Sequence, residues 1–508
     1  MMIWLALYSW PVIAYIFFRK WSIPVATSAT LIGGYLLLPE NHAFDLPLLP
    51  PLDKHTIPAL SALVLIWINS KDRKTPVDMR PGLLPHSKVV ALLLVVMLFG
   101  TFATVMTNRE PLFYGPTVLA SMRVYDSFSI LMATILTLIP FLIGRKVLST
   151  QDGLKSFVTV FVMAAVGYAC LALWEIRMSP QLNYQIYGFF PHSWIQHIRG
   201  GGFRPLVFLE HGLWLGIFFA SAILIAFGQW RYETGKRKQQ YLMAAGWLFL
   251  TISLSKVIGA FAIVLVLLPV MLFLGRRIQL MIAAIISIIV LFYPVLRNVD
   301  LVPTDTLLTY AERFDPARAQ SLKFRFDNED KLLARAKLKP LYGWGGYGRN
   351  FVFDEDGINT AVSDGLWVIL FGKGGWFSYI GHYGLLTWGI LALFLRKREE
   401  VDNTTAIIAL ALTGNLIDLL PNAGISPVTW MMAGALVGRL EQRGLVRDNE
   451  SALIQPTRRP LRYTRDLGQK DTRNKARFVS QNQSINRDGT QDKYRPLGAT
   501  DRIPYGGG

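Results

Sequence analysis

Long apolar runs recur along this chain, and the charges between them gather in short clusters. The stretches 88–106 (KVVALLLVVMLFGTFATVM), 205–228 (PLVFLEHGLWLGIFFASAILIAFG) and 278–296 (IQLMIAAIISIIVLFYPVL) approach or exceed the roughly 18 apolar residues that a helix needs to cross a hydrocarbon layer. Such runs cannot be hidden in the few soluble domains that 508 residues would otherwise suggest. Charged residues make up only 17% of the chain, against about 25% in an average soluble protein. The expected fold is therefore all-α: a polytopic membrane helix bundle whose core is the bundle itself.

Reading each run as a span gives about 12–13 of them: 2–18, 22–39, 57–69, 88–106, 126–144, 156–176, 205–228, 240–255, 257–275, 278–296, a segment within 366–395, 404–420 and 426–440. The loops at 19–20, 70–88, 145–155, 229–239, 276–277 and 396–398 are rich in Lys and Arg and fall on alternate turns. By the positive-inside rule they share the cytoplasmic side. The net charge of +18 then reflects orientation, and no nucleic-acid partner is expected, because no basic helix or aromatic stacking module accompanies the charge. The first run has no basic flank before it and Arg19-Lys20 after it, so it reads as a retained span and not as a cleaved signal. Residues 1–440 are expected to form the bundle, and the polar stretch 441–508 a disordered cytoplasmic tail.

The opposite side receives 40–56, 107–125, 177–204 and, largest, the loop 297–365. So long a loop is more than a connector, and loops on a rigid scaffold are where function concentrates. Within it, 317–339 has helical spacing and ends before Pro340, which suits a helix along a membrane surface. The run Gly343-Trp344-Gly345-Gly346-Tyr347-Gly348-Arg349-Asn350 reads as a glycine-rich turn with aromatic anchors. It is not a phosphate-binding P-loop, because no Lys-Ser/Thr follows it. No metal-ligand spacing occurs, so no metal or other cofactor is expected. The single cysteine, Cys170, lies in an apolar run and is expected to be a small buried residue.

Two arginines fall at the outer boundary of this bundle. Arg204 sits in Gly200-Gly201-Gly202-Phe203-Arg204-Pro205, and Arg325 opens Arg325-Phe326-Asp327-Asn328-Glu329-Asp330 on the loop helix. A fixed guanidinium can bind phosphate with two parallel hydrogen bonds, although either arginine can also snorkel to headgroups or pair with a local carboxylate.

Residues 200–440 resemble the O-antigen ligase and O-antigen polymerase superfamily of bacterial envelope glycosyltransferases. The resemblance rests on Gly202-Phe203-Arg204 followed by Glu210-His211-Gly212, and on the patch from Ser255 to Ala260. It rests most on Arg325, an amphipathic helix, and then Lys339-Pro340-Leu341-Tyr342-Gly343-Trp344-Gly345-Gly346-Tyr347-Gly348. It implies an enzyme of the bacterial inner membrane that moves a glycan from undecaprenyl diphosphate to a sugar hydroxyl of an acceptor glycan or glycolipid. Arg204 and Arg325 would then bind the diphosphate. A base near the acceptor would complete the site.

Where the family carries a histidine after the glycine turn, this chain reads Val362-Ser363-Asp364-Gly365-Leu366-Trp367, which makes Asp364 the expected base, provided that it stands clear of the arginines. Ser-Asp-Gly before an apolar run is equally a helix-cap signature. His211 and Glu210 are the alternative bases, and His192 and His197 read as plain loop residues. Asp418 and Asn422 flank Pro421 at the end of a run, where an acid either has a role or caps a break. Three readings remain: a ligase, a polymerase that extends the lipid-linked chain, and a non-catalytic transporter. The last fits least, since the two halves are unlike and mid-run charges are few. The topology is open to test in a Cys170→Ala background. Asp330→Cys is expected to react with an impermeant thiol reagent on intact cells, and Lys470→Cys only after lysis; the reverse pattern would invert the map.

Overall fold

The computed structural model describes residues 2–45, 50–70, 82–314, 316–396 and 401–454. Among these the chain is almost wholly helical. It begins with α1 (Met2–Lys20), α2 (Ile23–Leu37), α3 (Thr56–Ser70) and α4 (Lys88–Met106), then a hairpin of β1 (Leu112–Tyr114) and β2 (Thr117–Leu119), then α5 (Val124–Val147) and α6 (Gln151–Met178). The short α7 (Leu182–Tyr187), a 3-10 turn at Trp194–His197 and a second hairpin, β3 (Ile198–Arg199) with β4 (Gly202–Phe203), lead into α8 (Gly212–Tyr232). There follow α9 (Gly235–Leu254), α10 (Ile258–Phe273), α11 (Arg276–Leu291), α12 (Tyr293–Asn298), α13 (Thr304–Phe314), α14 (Pro316–Lys337), α15 (Leu366–Phe394), α16 (Asn403–Asp418) and α17 (Pro427–Ile454).

Every apolar run picked from the sequence falls on a helix. Six of them, α1, α4, α5, α6, α8 and α15, are long and apolar enough to cross a membrane, and α2, α10 and the stretch Thr56–Asn69 are shorter apolar helices. Several are apolar on both faces: α4 buries Val90 and Met97 yet exposes Leu92, Val95, Phe99 and Phe102. That pattern belongs to a helix with an apolar environment all round. At the centre, α8 and α16 are buried along most of their length.

Small residues let the helices approach closely. Gly434 and Gly438, four apart on α17, press on α5, where a Cβ would overlap the carbonyl oxygens of Phe141 and Arg145. The same end of the bundle is clamped by buried ion pairs, Arg145 to Glu441 at 2.5 Å and Arg439 to Asp402 at 2.5 Å. Glu441 also accepts hydrogen bonds from the backbone N–H groups of His86 and Ser87, at the start of α4.

The central irregularity is in α15, which breaks at Gly375 (φ 61, ψ −156). The segment 339–345 fills the gap. Trp344 N donates to Gly372 O at 2.9 Å and Gly345 N to Lys373 O at 2.8 Å, while Trp376 N donates to Pro340 O at 2.8 Å and Phe377 N to Leu341 O at 3.3 Å. The glycine-rich turn is thus a splint for a broken helix, and Gly343 (φ 63) touches the Lys373–Gly374 backbone where a Cβ would not fit. From α4, Thr104 Oγ1 donates to Tyr342 O at 2.6 Å and Asn108 Nδ2 to Gly343 O at 2.9 Å. Above the splint, the Arg335 guanidinium stacks on Trp344 at 3.4 Å, and the buried Arg349 donates to Ala120 O at 2.7 Å and Glu110 O at 2.9 Å.

Several boundaries differ from the sequence reading. The run 205–228 becomes helical only at Gly212; residues 205–211 are buried but irregular, because Pro205 lacks an N–H and the backbone donors that follow are bound by side chains of other elements. The run 278–296 divides into α11 and α12 just before Pro294. The helix expected at 317–339 is α14. Cys170 is exposed and not buried, on the face of α6 opposite Ala169 and Ala172. α17 continues past residue 440 to Ile454, and the rest of the expected tail, 455–508, lies outside the described residues. The glycine contact between α5 and α17 should be sensitive to volume. Gly438→Leu is expected to lower stability by about 1–3 kcal/mol, read as the melting point of the detergent-solubilised protein. Gly167→Leu, where a Cβ meets nothing within 4 Å, should not lower it.

Candidate functional site

The β3–β4 hairpin turns at Gly200 (φ 52) and Gly201 (φ 71). Lys256, just beyond α9, locks that turn by donating from Nζ to Arg199 O and Gly200 O, each at 2.8 Å. The hairpin delivers Arg204, whose N–H donates to His197 O at 2.8 Å and whose stem lies against Gly212 at the start of α8. Arg204 Nη2 lies 3.5 Å from Lys256 O.

The irregular segment 205–211 is then held from three sides. Glu175 of α6 accepts from Leu206 N at 2.9 Å and Val207 N at 2.8 Å with one oxygen, and from Leu182 N at 3.1 Å with the other. Tyr168 accepts from Phe208 N at 3.0 Å, and Lys54 donates to Phe208 O at 3.0 Å while paired with Glu40 at 2.7 Å. Val207, a β-branched residue, is held at φ 57, a strained conformation kept by this surround. The segment delivers Glu210, whose Oε2 accepts from Trp214 Nε1 at 3.3 Å, and His211, whose Nδ1 caps α8 by accepting from Leu213 N at 3.0 Å.

On the facing side Arg325 of α14 is fixed by three partners. Its Nε lies 3.5 Å from Asp364 Oδ2, and its Nη1 donates to Pro421 O at 3.1 Å and Asn422 Oδ1 at 3.4 Å. Nη2 has no partner among the described residues. Asn422 in turn donates to Asp418 Oδ1 at 2.9 Å, leaving the buried Asp418 Oδ2 without a partner among the described residues. α14 is docked by Arg297 to Asp330 at 2.9 Å, by Trp367 Nε1 donating to Glu329 at 3.3 Å and by Val362 N donating to Asn328 at 2.8 Å. Burial among these groups pushes the Glu329 carboxyl up to about 7.

The two sides meet at His211. Trp214 packs on Gly424, and the charges of both Arg204 and Arg325 bear on the His211 imidazole. Burial, then neighbouring His197 and these arginines, push His211 down to about 3; burial likewise pushes His197 down to about 4. His192, His197 and His211 form one cluster, with ring centroids 4.9 Å apart for His192–His211 and His197–His211 and 6.2 Å for His192–His197. No group of three His, Cys, Asp or Glu side chains among the described residues is arranged to hold a metal ion.

The base expected at Asp364 does not stand clear of the arginines: it is an ion-pair partner of Arg325. Nor does it cap α15, whose first N–H, that of Leu366, donates to Leu419 O at 3.1 Å and Asn422 O at 3.0 Å. His192 and His197, read from the sequence as loop residues, belong to the cluster, and nothing local in the sequence marks them. Glu175 could have been found as an acid inside an apolar run. Comparison with protein-family models, characterised proteins and solved structures finds no match for this chain.

Both buried imidazoles are neutral when folded, whereas in the unfolded chain they take up protons near the ordinary histidine value, about 6.5. The stability they contribute is therefore present above that value and is lost as pH falls towards about 4 and about 3. The raised Glu329 carboxyl acts in the opposite sense over the same range and is common to both proteins, so the readout is the difference: as pH falls from 6.5 to 4, the melting point of solubilised His197→Gln is expected to rise relative to that of the unsubstituted protein. Identical pH profiles for the two proteins would refute the assignment.

Proposed function

We propose that this chain is a multi-pass protein of a bacterial inner membrane that transfers a glycan from undecaprenyl diphosphate to a sugar hydroxyl of an acceptor glycolipid, in the manner of an O-antigen ligase. In this reading the loop 297–365 and the hairpin bearing Arg204 face the extracytoplasmic side, and the lipid chain of the donor lies between helices. The observation that carries the proposal is a chain of contacts that brings two arginines, far apart in the chain, to one place. Arg204 is hydrogen-bonded to His197, whose ring lies against His211, and Arg325 is held by Pro421 and Asn422 beside Gly424, which packs on Trp214 next to His211.

The chemistry asks for stabilisation of a leaving diphosphate where no nucleotide is available. Two immobilised guanidinium groups do this without reorganising during the reaction. Arg325 offers Nη2, since Nε and Nη1 are occupied by Asp364, Pro421 and Asn422. The ion pair with Asp364 orients the fork and lowers its net charge, so that a diphosphate is held but can still depart. Arg204, at the mouth of α8, takes the second phosphate.

Arg204→Lys and Arg325→Lys keep the charge and lose the fork. Each is expected to reduce transfer by about 100-fold in a reconstituted assay with a polyprenyl-diphosphate-linked oligosaccharide and an acceptor glycolipid. Undiminished transfer in both would remove the arginines from the reaction. A product lengthened on the polyprenyl carrier, with none on the glycolipid, would make the protein a polymerase, and vectorial movement of intact donor without any new glycosidic bond would make it a transporter.

A further inference from the structure

The two buried histidines beside Arg204 are held in opposite tautomers. His211 Nδ1 accepts the Leu213 N–H at 3.0 Å, so the proton of the neutral ring is on Nε2 and that atom is a donor. His197 Nδ1 lies 3.1 Å from Ser193 O, which can only accept, so its proton is on Nδ1 and the lone pair is on Nε2. This Nε2 has no hydrogen-bond partner among the described residues, although the whole side chain is buried. A buried acceptor left without a donor is costly unless something completes it. The rings stand 4.9 Å apart at 55°, and the exposed His192 ring lies over the cluster, 4.9 Å from His211.

Resting on the glycan-transfer reading above, we propose that His197 Nε2, and neither Asp364 nor His211, accepts the proton of the acceptor hydroxyl, while His211 Nε2–H holds the same sugar as a hydrogen-bond donor. The acceptor oxygen forms its new bond to the anomeric carbon of the donor. The bond from that carbon to the phosphate oxygen breaks, and its electron pair leaves with undecaprenyl diphosphate. The hydroxyl proton moves to His197 Nε2 and from there to solvent past His192, which turns aside to admit the acceptor.

The other two candidates are disfavoured by their contacts. Asp364 would have to give up its ion pair with Arg325 in order to take a proton. His211 can accept one only at Nδ1, and so only by uncapping α8. Burial, and then the charges of Arg204, His192 and Arg199, oppose an imidazolium at His197, and a diphosphate bound at Arg204 offsets the share that comes from that arginine. The base therefore gains strength when the donor is in place. The geometry also binds the two functions together, because the backbone N–H of Arg204 is hydrogen-bonded to His197 O at 2.8 Å.

The test uses the full chain in vesicles, with a polyprenyl-diphosphate-linked oligosaccharide as donor and an acceptor glycolipid. His197→Asn keeps an N–H to donate to Ser193 O but has no group at the Nε2 position. It is expected to lower kcat at least 100-fold while donor binding stays within a few-fold of the unsubstituted protein. His197→Ala should be similarly slow and regain transfer with added imidazole, which a purely structural role would not allow. Transfer by His197→Asn at the unsubstituted rate, or imidazole rescue of Asp364→Ala but not of His197→Ala, would overturn the assignment and leave the transfer reading standing. If the unsubstituted protein forms no glycosidic bond with any such donor, the transfer reading fails and takes this assignment with it.

Discussion

A helix that breaks among apolar side chains exposes carbonyl and N–H groups that only other protein groups can satisfy, and most of this structure's positioning follows from that requirement. At Gly375 the open groups of α15 are taken up by the backbone of 340–345. Docking that segment fixes the end of α14, through Arg335 on Trp344, and with it the orientation of Arg325. At 205–211 the open groups are taken up by Glu175, Tyr168 and Lys54, and this fixes Arg204 and His211 at the two ends of the segment. The repair of these two backbone interruptions thus helps to place Arg325 and His211, while the hairpin locked by Lys256 places Arg204 beside His197.

The ion pairs of this bundle are of two kinds, and the buried, short kind includes Lys54 with Glu40 at 2.7 Å. At the end bearing Arg145 and Arg439, the ion pairs are buried, short and capped by further hydrogen bonds, so removing one partner would strand the other in an apolar interior. At the end bearing Arg325, the pair with Asp364 is longer and about a third exposed on each side, leaving a donor open. Such a pair is worth little to stability. Its effect is to orient the Arg325 guanidinium and not to hold the fold together.

The apolar runs and basic clusters made the helices legible, because burial and periodicity act within a few residues of each other. The α14 helix and the turn after it were legible for the same reason, as were Arg204 and Arg325 as polar groups at helix boundaries. What the turn does was not legible, since its partners, the backbone of 372–377, lie 28 to 36 residues further on and are joined to it only by folding. The position of Asp364 is a similar case. Its place before α15 suggested a free base or a cap, but the helix start is satisfied by Leu419 and Asn422, and Arg325 approaches from a separate helix.

The sequence alone determined that this chain folds as apolar helices with its charges at their ends, because transfer of side chains out of water is a local property of composition and spacing. Only the tertiary structure decided which of those charges meet. The grouping of His192 and His197 with His211, the tautomers that their hydrogen bonds impose, and the approach of Arg325 to the same place depend on contacts between a hairpin, an irregular segment and a loop helix. Hydrogen bonds and ion pairs act over a few ångströms in space, whatever the separation along the chain, and no local pattern of residues encodes that distance.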